Sequence, residues 1–242
     1  IVDNYILKEF HNKLIFPMRR NGRKQQYTGA IVFNPTEPGA HDDVTVMDYT
    51  SLYPTSIMSF NLSPETFIAS EKGCKQIGIE IEDVVKQLKN DDIKYVDTGK
   101  HGDLFGERYL FYSQEHKLGL LPYVLKKLFL KRVEINRALK AGEYSGDEKV
   151  AMDKRQWAYK LILNSAYGAM GFNFFRLYKP EVADAITFFA RQALKFAVLE
   201  FQGYGHKTLY GDTDSIFVKS AGANEEQMVK KLDVFNESLK EY

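Results

Sequence analysis

The chain has 242 residues, of which 44% are hydrophobic and 27% charged, with a formal net charge of +1. This composition excludes a disordered chain, and the near-neutral balance excludes a uniformly basic nucleic-acid coat, though not a local basic surface. A single cysteine, Cys74, leaves no internal disulfide and no multi-cysteine zinc site, and no apolar run is long enough to cross a membrane.

The chain begins at Ile1 rather than Met and shows no signal peptide there. That suggests a trimmed or excerpted piece of a longer polypeptide. Residues 5–16 have helical periodicity, with Leu7, Phe10 and Leu14 at steps of three and four. The polar, basic stretch 18–26 reads as a loop, either a solvated linker or a phosphate contact. Residues 27–33 predict a short strand and 34–43 a turn-rich loop. Residues 44–49 predict a buried, β-branched strand closed by Asp48. Residues 63–66 look like a helix or turn start.

Residues 70–116 are the least regular part. They hold one expected helix, 79–90, and a Gly/Asp-rich stretch at 97–107. Residues 119–140 predict a long amphipathic helix with Pro122 near its start, and 147–171 a second one, most simply packed as an antiparallel pair. A third helix runs over 180–201, opened by Pro180. Residues 206–218 predict two strands around an acidic turn, and a closing helix starts at Glu225. The order predicts an α+β fold with a mixed antiparallel sheet and packed helices.

Four places carry candidate chemistry. An ionised Asp48 at the end of an apolar strand needs a partner or a cation, unless it merely caps a turn. Asp212 and Asp214, two apart, point to one side if the chain is extended there, and like charges so close need a cation nearby; an exposed hairpin turn is the plainer alternative. Lys160, Asn164 and Tyr167 share a helix face that suits a phosphate and a base, or simply a solvated polar face. The segment 117–140 carries Lys117, Lys126, Lys127, Lys131, Arg132, Arg137 and Lys140 against Glu134. That is an anion-binding helix or a solvated one.

Together these segments resemble family B DNA polymerases. Asp48-Tyr49-Thr50-Ser51-Leu52-Tyr53-Pro54 resembles the family's motif A. Lys160, Asn164, Ser165, Tyr167 and Gly168 resemble motif B, and Tyr210-Gly211-Asp212-Thr213-Asp214-Ser215 resembles motif C. The three occur in the family's order. Tyr27-Thr28-Gly29-Ala30 resembles the family's element between exonuclease and palm, which implies that Tyr27 and Gly29 touch template DNA.

The resemblance implies DNA-templated addition of deoxynucleotides from dNTPs to a primer 3′-hydroxyl. It implies two Mg2+ ions about 3.5–4 Å apart, with Mn2+ as a substitute. Asp48 and Asp214 would bridge them, Asp212 would support them, and the carbonyl of Tyr49 would complete one shell. Arg132, Lys160 and Asn164 would bind the triphosphate from the fingers, and the N–H groups of Ser51 and Leu52 from the palm. Tyr53 would be the steric gate against a ribose 2′-hydroxyl, and Tyr167 would sit under the nascent base pair. Closing of the fingers on a correct pair would complete the site.

The implied organisation is a lead-in segment (1–46), palm (47–69 and 176–242), an insertion or linker (70–118), and a helical-hairpin fingers subdomain (119–175). The expected partners are primer-template DNA, dNTPs, and exonuclease and thumb regions from the same polymerase or a partner chain, in an intracellular and not a secreted setting. One departure is Asn136, where the family usually places a second basic fingers residue; the neighbouring Arg137 faces another direction. Two other readings are weighed. A reverse transcriptase or RNA polymerase fits less well, because Thr213 separates the two acids and Tyr53 favours a DNA product. A non-catalytic remnant acting as a binding scaffold would not need Asp48, Asp214, Lys160 and Arg132 intact.

Overall fold

The computed structural model describes residues 1–18, 25–99 and 107–239. Most of the loop expected at 18–26, most of the Gly/Asp-rich stretch and the end of the closing helix lie outside them. The described chain is mixed α and β, and every strand pair is antiparallel. It divides into two compact units: Ile1–Thr28 with Tyr53–Ile186, and Gly29–Leu52 with Thr187–Tyr242.

The first unit opens with α1, Val2–Glu9. The helix is shorter than its periodicity suggests. Val2 and Ile6 are buried in it, whereas Leu14 is exposed beyond its end and Asn12 adopts φ 61°, which no helix continues. The helix α2, Leu52–Ser59, enters this unit at Tyr53.

The segment expected to be least regular builds a small α/β layer of its own. Strands β3 (Phe67–Ser70), β4 (Tyr95–Asp97) and β5 (Tyr109–Tyr112) pair in the order β3-β5-β4. Helices α3 (Glu71–Gln76) and α4 (Ile81–Asn90) accompany them. Cys74, Ile81, Leu88 and Leu110 form the core, so Cys74 is a packing residue. Arg108 ties the layer together, forking onto both oxygens of Asp97 at 2.9 and 2.6 Å and reaching Glu82 at 3.0 Å.

The long helices follow: α5, Leu120–Ala141, and α6, Gly146–Met170. They pack on one another; α5 buries the stripe Leu121, Leu125, Leu128 and Ile135, and α6 the stripe Leu163, Ala166 and Met170. Gly142 ends α5 at φ 74°, the left-handed cap that glycine supplies without strain. The start of α5 is capped from a distant turn. Asn61 Oδ1 accepts from Gly119 N at 2.8 Å, Ser63 Oγ accepts from Leu121 N at 3.3 Å, and the Glu65 carboxylate accepts from Leu120 N. The orphan N–H groups of the helix are thus satisfied by the turn expected at 63–66.

The helix α7, Pro180–Gly203, carries the chain into the second unit. There β1 (Val32–Phe33), β2 (Val44–Asp48), β6 (Thr208–Asp212) and β7 (Ser215–Lys219) form a sheet in the order β1-β6-β7-β2. Only two residues of the strand expected at 27–33 join it. The closing helix α8, Glu225–Ser238, starts with a capping box between Asn224 and Gln227. Leu194, Ala197 and Phe201 of α7 pack with Ile216, Val218, Met228 and Phe235 as this unit's core. No helix among the described residues is long and apolar enough to cross a membrane.

Candidate active site

The acidic residues all belong to the second unit. Asp48 ends β2, an edge strand, and is exposed, which corrects the expectation of a buried strand closed by a carboxylate. Its register partner on β7 is Ser215, and the partner of Ser215 on the other side is Asp212 of β6. Directly opposed residues share a sheet face, so Asp48 and Asp212 stand on one face with Ser215 between them. Two cross-strand steps separate their Cα atoms by roughly 10 Å.

Asp214 lies in the two-residue turn between β6 and β7, the acidic hairpin turn that the sequence offered as the plainer alternative to an extended i, i+2 pair. Thr213 takes φ 56°, and Asp214 N donates to Asp212 O at 2.6 Å. The Asp214 carbonyl accepts from Tyr49 N at 2.8 Å, which binds the turn to the residue after Asp48. Burial, followed by the charges of Asp48 and Asp212, raises the Asp214 carboxyl above the usual carboxylate range. Like charges therefore press on one another here.

A cavity of about 260 Å³ is lined by Asp48 and Tyr49 together with Leu194, Phe201, Ile216 and Phe235. The Tyr49 ring packs edge-on against Phe235 at 6.0 Å, and its hydroxyl donates to Ala193 O at 2.8 Å. With Tyr49 fixed, its main chain is held beside the turn. Among the described residues no three His, Cys, Asp or Glu side chains converge as a ready-made metal cluster. The separation of Asp48 from Asp212 by a full strand accounts for that. Asp48 and Asp214 nonetheless offer hard oxygen donors on segments joined by the Tyr49 N–Asp214 O bond, which suits Mg2+.

Ser51 turns the chain from β2 into α2. Its φ is 60°, a strained conformation for a residue with a side chain, which costs roughly 1 kcal/mol. The bend sets Ser51 and Leu52 at the N-terminal end of α2, where main-chain N–H groups favour anions. Gly29, also in the second unit, accepts from Arg191 Nη1 at 2.6 Å, and a Cβ there would meet nothing within 4 Å.

The other candidate residues belong to the first unit. Lys160, Asn164 and Tyr167 lie on α6, with Tyr167 beside the buried Leu163 and Met170; Asn164 is exposed and the other two are partly exposed. The Lys160 ammonium sits over the Trp157 ring, 4.7 Å from its centroid. Arg132 on α5 is partly exposed, and its Nε is buried with no hydrogen-bond partner. Tyr53 and Tyr167 stack with ring centroids 4.4 Å apart, and Tyr167 meets Tyr27 edge-on at 6.5 Å.

Three participants escaped the sequence reading. Gly171 is one: a Cβ there would stand 2.1 Å from the Tyr27 hydroxyl oxygen. Asn61 is another, fully buried at the cap of α5. Both contacts span long sequence separations and leave no local signal. Trp157 is the third, and its i, i+3 spacing to Lys160 is a signal the sequence did contain.

The family model for DNA polymerase family B matches residues 1–241. A DNA polymerase of Archaeoglobus fulgidus is 32% identical over 89% of this chain, which covers 24% of that protein. The DNA polymerase delta catalytic subunit of Dictyostelium discoideum is 33% identical over 86% of the chain, covering 18% of that protein. The solved family B DNA polymerase of Pyrobaculum calidifontis superposes with a TM-score of 0.65 at 31% identity, over 92% of this chain and 26% of that one. The chain thus spans about a quarter or less of the length of these relatives. It belongs to DNA polymerase family B.

Proposed function

We propose that this family B chain carries the nucleotide-addition centre of a DNA polymerase, transferring deoxynucleotides from dNTPs to a primer 3′-hydroxyl under template direction. The observation that carries the reading is the bond from Tyr49 N to Asp214 O, which ties the segment after Asp48 to the Asp214 turn and gathers two carboxylates there. A divalent cation is what such a pair lacks.

Asp48 and Asp214, with the carbonyl of Tyr49, would hold Mg2+, and Mn2+ could substitute. Asp212, one strand further, would support them by charge. Two bound ions would supply charge neutralisation at the transferring phosphate and a lowered pKa at the primer hydroxyl.

The remaining work falls to the chain's own groups. Arg132 offers a planar guanidinium fork, and Lys160 a point charge, to the triphosphate. Asn164 adds an amide donor on the same helix. The N–H groups of Ser51 and Leu52 bind phosphate oxygens at the bend into α2. The Tyr53 ring, held by Tyr167, fills the space a 2′-hydroxyl would need, and so selects deoxynucleotides. Tyr167 supports the nascent base pair, and Tyr27 and Gly29 meet the template strand.

In this reading 47–69 and 176–242 are palm, 119–175 fingers, 70–118 an insertion, and 1–46 a lead-in. Primer-template DNA is the macromolecular partner. Firm duplex grip rests on many phosphate contacts, for which exonuclease and thumb regions of the same polymerase or a partner chain would be needed. Primer extension tests the reading. Weak, Mg2+-dependent single additions that vanish in Asp214→Asn support it. Additions that persist in that variant contradict it.

A further inference from the structure

Trp157 is the chain's sole tryptophan and stands about half exposed on α6, one turn before Lys160. Helical side chains lean toward the N-terminus, so the Lys160 stem runs back over position 157. Its ammonium rests 4.7 Å from the indole centroid, well inside cation–π range. Among the described residues no carboxylate forms an ion pair with Lys160.

We propose that Trp157 is a positioning residue for Lys160, holding the ammonium in place for the incoming triphosphate. The inference rests on the reading of Lys160 as a triphosphate contact. The choice of an aromatic anchor has a physical logic. A carboxylate at 157 would neutralise the ammonium and repel the phosphates. An indole face fixes the cation without cancelling its charge. It occupies one side of the ammonium and leaves N–H donors free on the other. A lysine stem loses much rotamer freedom when it binds, and an anchored stem has already lost part of it.

The test is calorimetric titration of dTTP with Mg2+ into the wild-type chain and the variants Trp157→Ala, Trp157→Phe and Lys160→Met. Tryptophan emission is followed in the wild type and in Lys160→Met. An exposed cation–π contact is worth about 0.5–1 kcal/mol, so Trp157→Ala should weaken dTTP binding about 2- to 5-fold. Trp157→Phe keeps a ring and should stay within about 2-fold. Because no other tryptophan is present, emission reports the surroundings of Trp157 alone. It should change in Lys160→Met without nucleotide, and dTTP should perturb it in the wild type but not in that variant.

Unweakened binding in Trp157→Ala, with normal wild-type binding, overturns the inference and leaves the triphosphate reading standing. Emission in Lys160→Met identical to wild type also overturns it. Absence of dTTP binding by the wild type overturns both.

Discussion

The rings of Tyr53 and Tyr167 lie 4.4 Å apart at an interplanar angle of 35°, which ties the first turn of α2 to the last turns of α6. Neither ring moves without disturbing the other. A gate built from Tyr53 is therefore only as rigid as this contact. Replacing Tyr53 by Val removes the ring and the stacking together. Discrimination against rUTP relative to dTTP should fall about 10- to 100-fold, the range one well-placed steric contact commands. Tyr53→Phe keeps the ring and should keep the discrimination. Competitive incorporation of the two nucleotides measures it.

Asp214→Asn separates stability from function. A carboxyl whose pKa is raised by folding destabilises the native state at neutral pH, because it must ionise where ionisation is disfavoured. The neutral variant should melt at or above the wild-type temperature. Nucleotide addition should fall by at least about 100-fold, the usual loss for a group aimed at transition-state charge. Thermal melting and primer extension on the same samples check both halves.

Gly171→Ala puts a methyl group where the Tyr27 hydroxyl stands. The ring must shift, and with it the edge-on contact to Tyr167. Overpacking of this kind costs about 1–3 kcal/mol. Tyr27→Phe vacates the oxygen, so the double variant should be more stable than the sum of the single losses. Denaturant unfolding of the four proteins in the cycle measures that coupling.

The layer built by β3, β4 and β5 should be acid-sensitive through Asp97. Burial opposes its charge, but the Arg108 fork and the Gly99 N–H outweigh burial and hold the carboxyl below its usual range. A depressed carboxylate contributes stability that is complete above the unfolded value of about 3.9 and is lost as pH falls through the lower folded value. Asp97→Asn should remove about 1–3 kcal/mol at pH 7 and much less at the lowest pH where the fold survives. Hydrogen exchange of the Tyr109–Tyr112 strand against pH follows it.

The long helices were legible because their signals are local. Gly142 ends α5 and Pro180 starts α7 where their backbone preferences require. The order Asp48, Lys160, Asp214 likewise stands in the sequence. The β3-β5-β4 sheet was not legible, since its strands are three or four residues long and β3 pairs with β5 across two intervening helices. The exposure of Asp48 depends on β2 being an edge strand, which periodicity within β2 cannot reveal. The cap formed by Asn61 on Gly119 and the seat of Tyr27 on Gly171 arise only when distant segments meet.

The most direct test of the central claim is calorimetric binding of dTTP to this chain with and without Mg2+, beside Asp48→Asn and Lys160→Ala. Binding should require the metal, disappear in Asp48→Asn and weaken strongly in Lys160→Ala. Binding indifferent to Mg2+ and to both substitutions would contradict it.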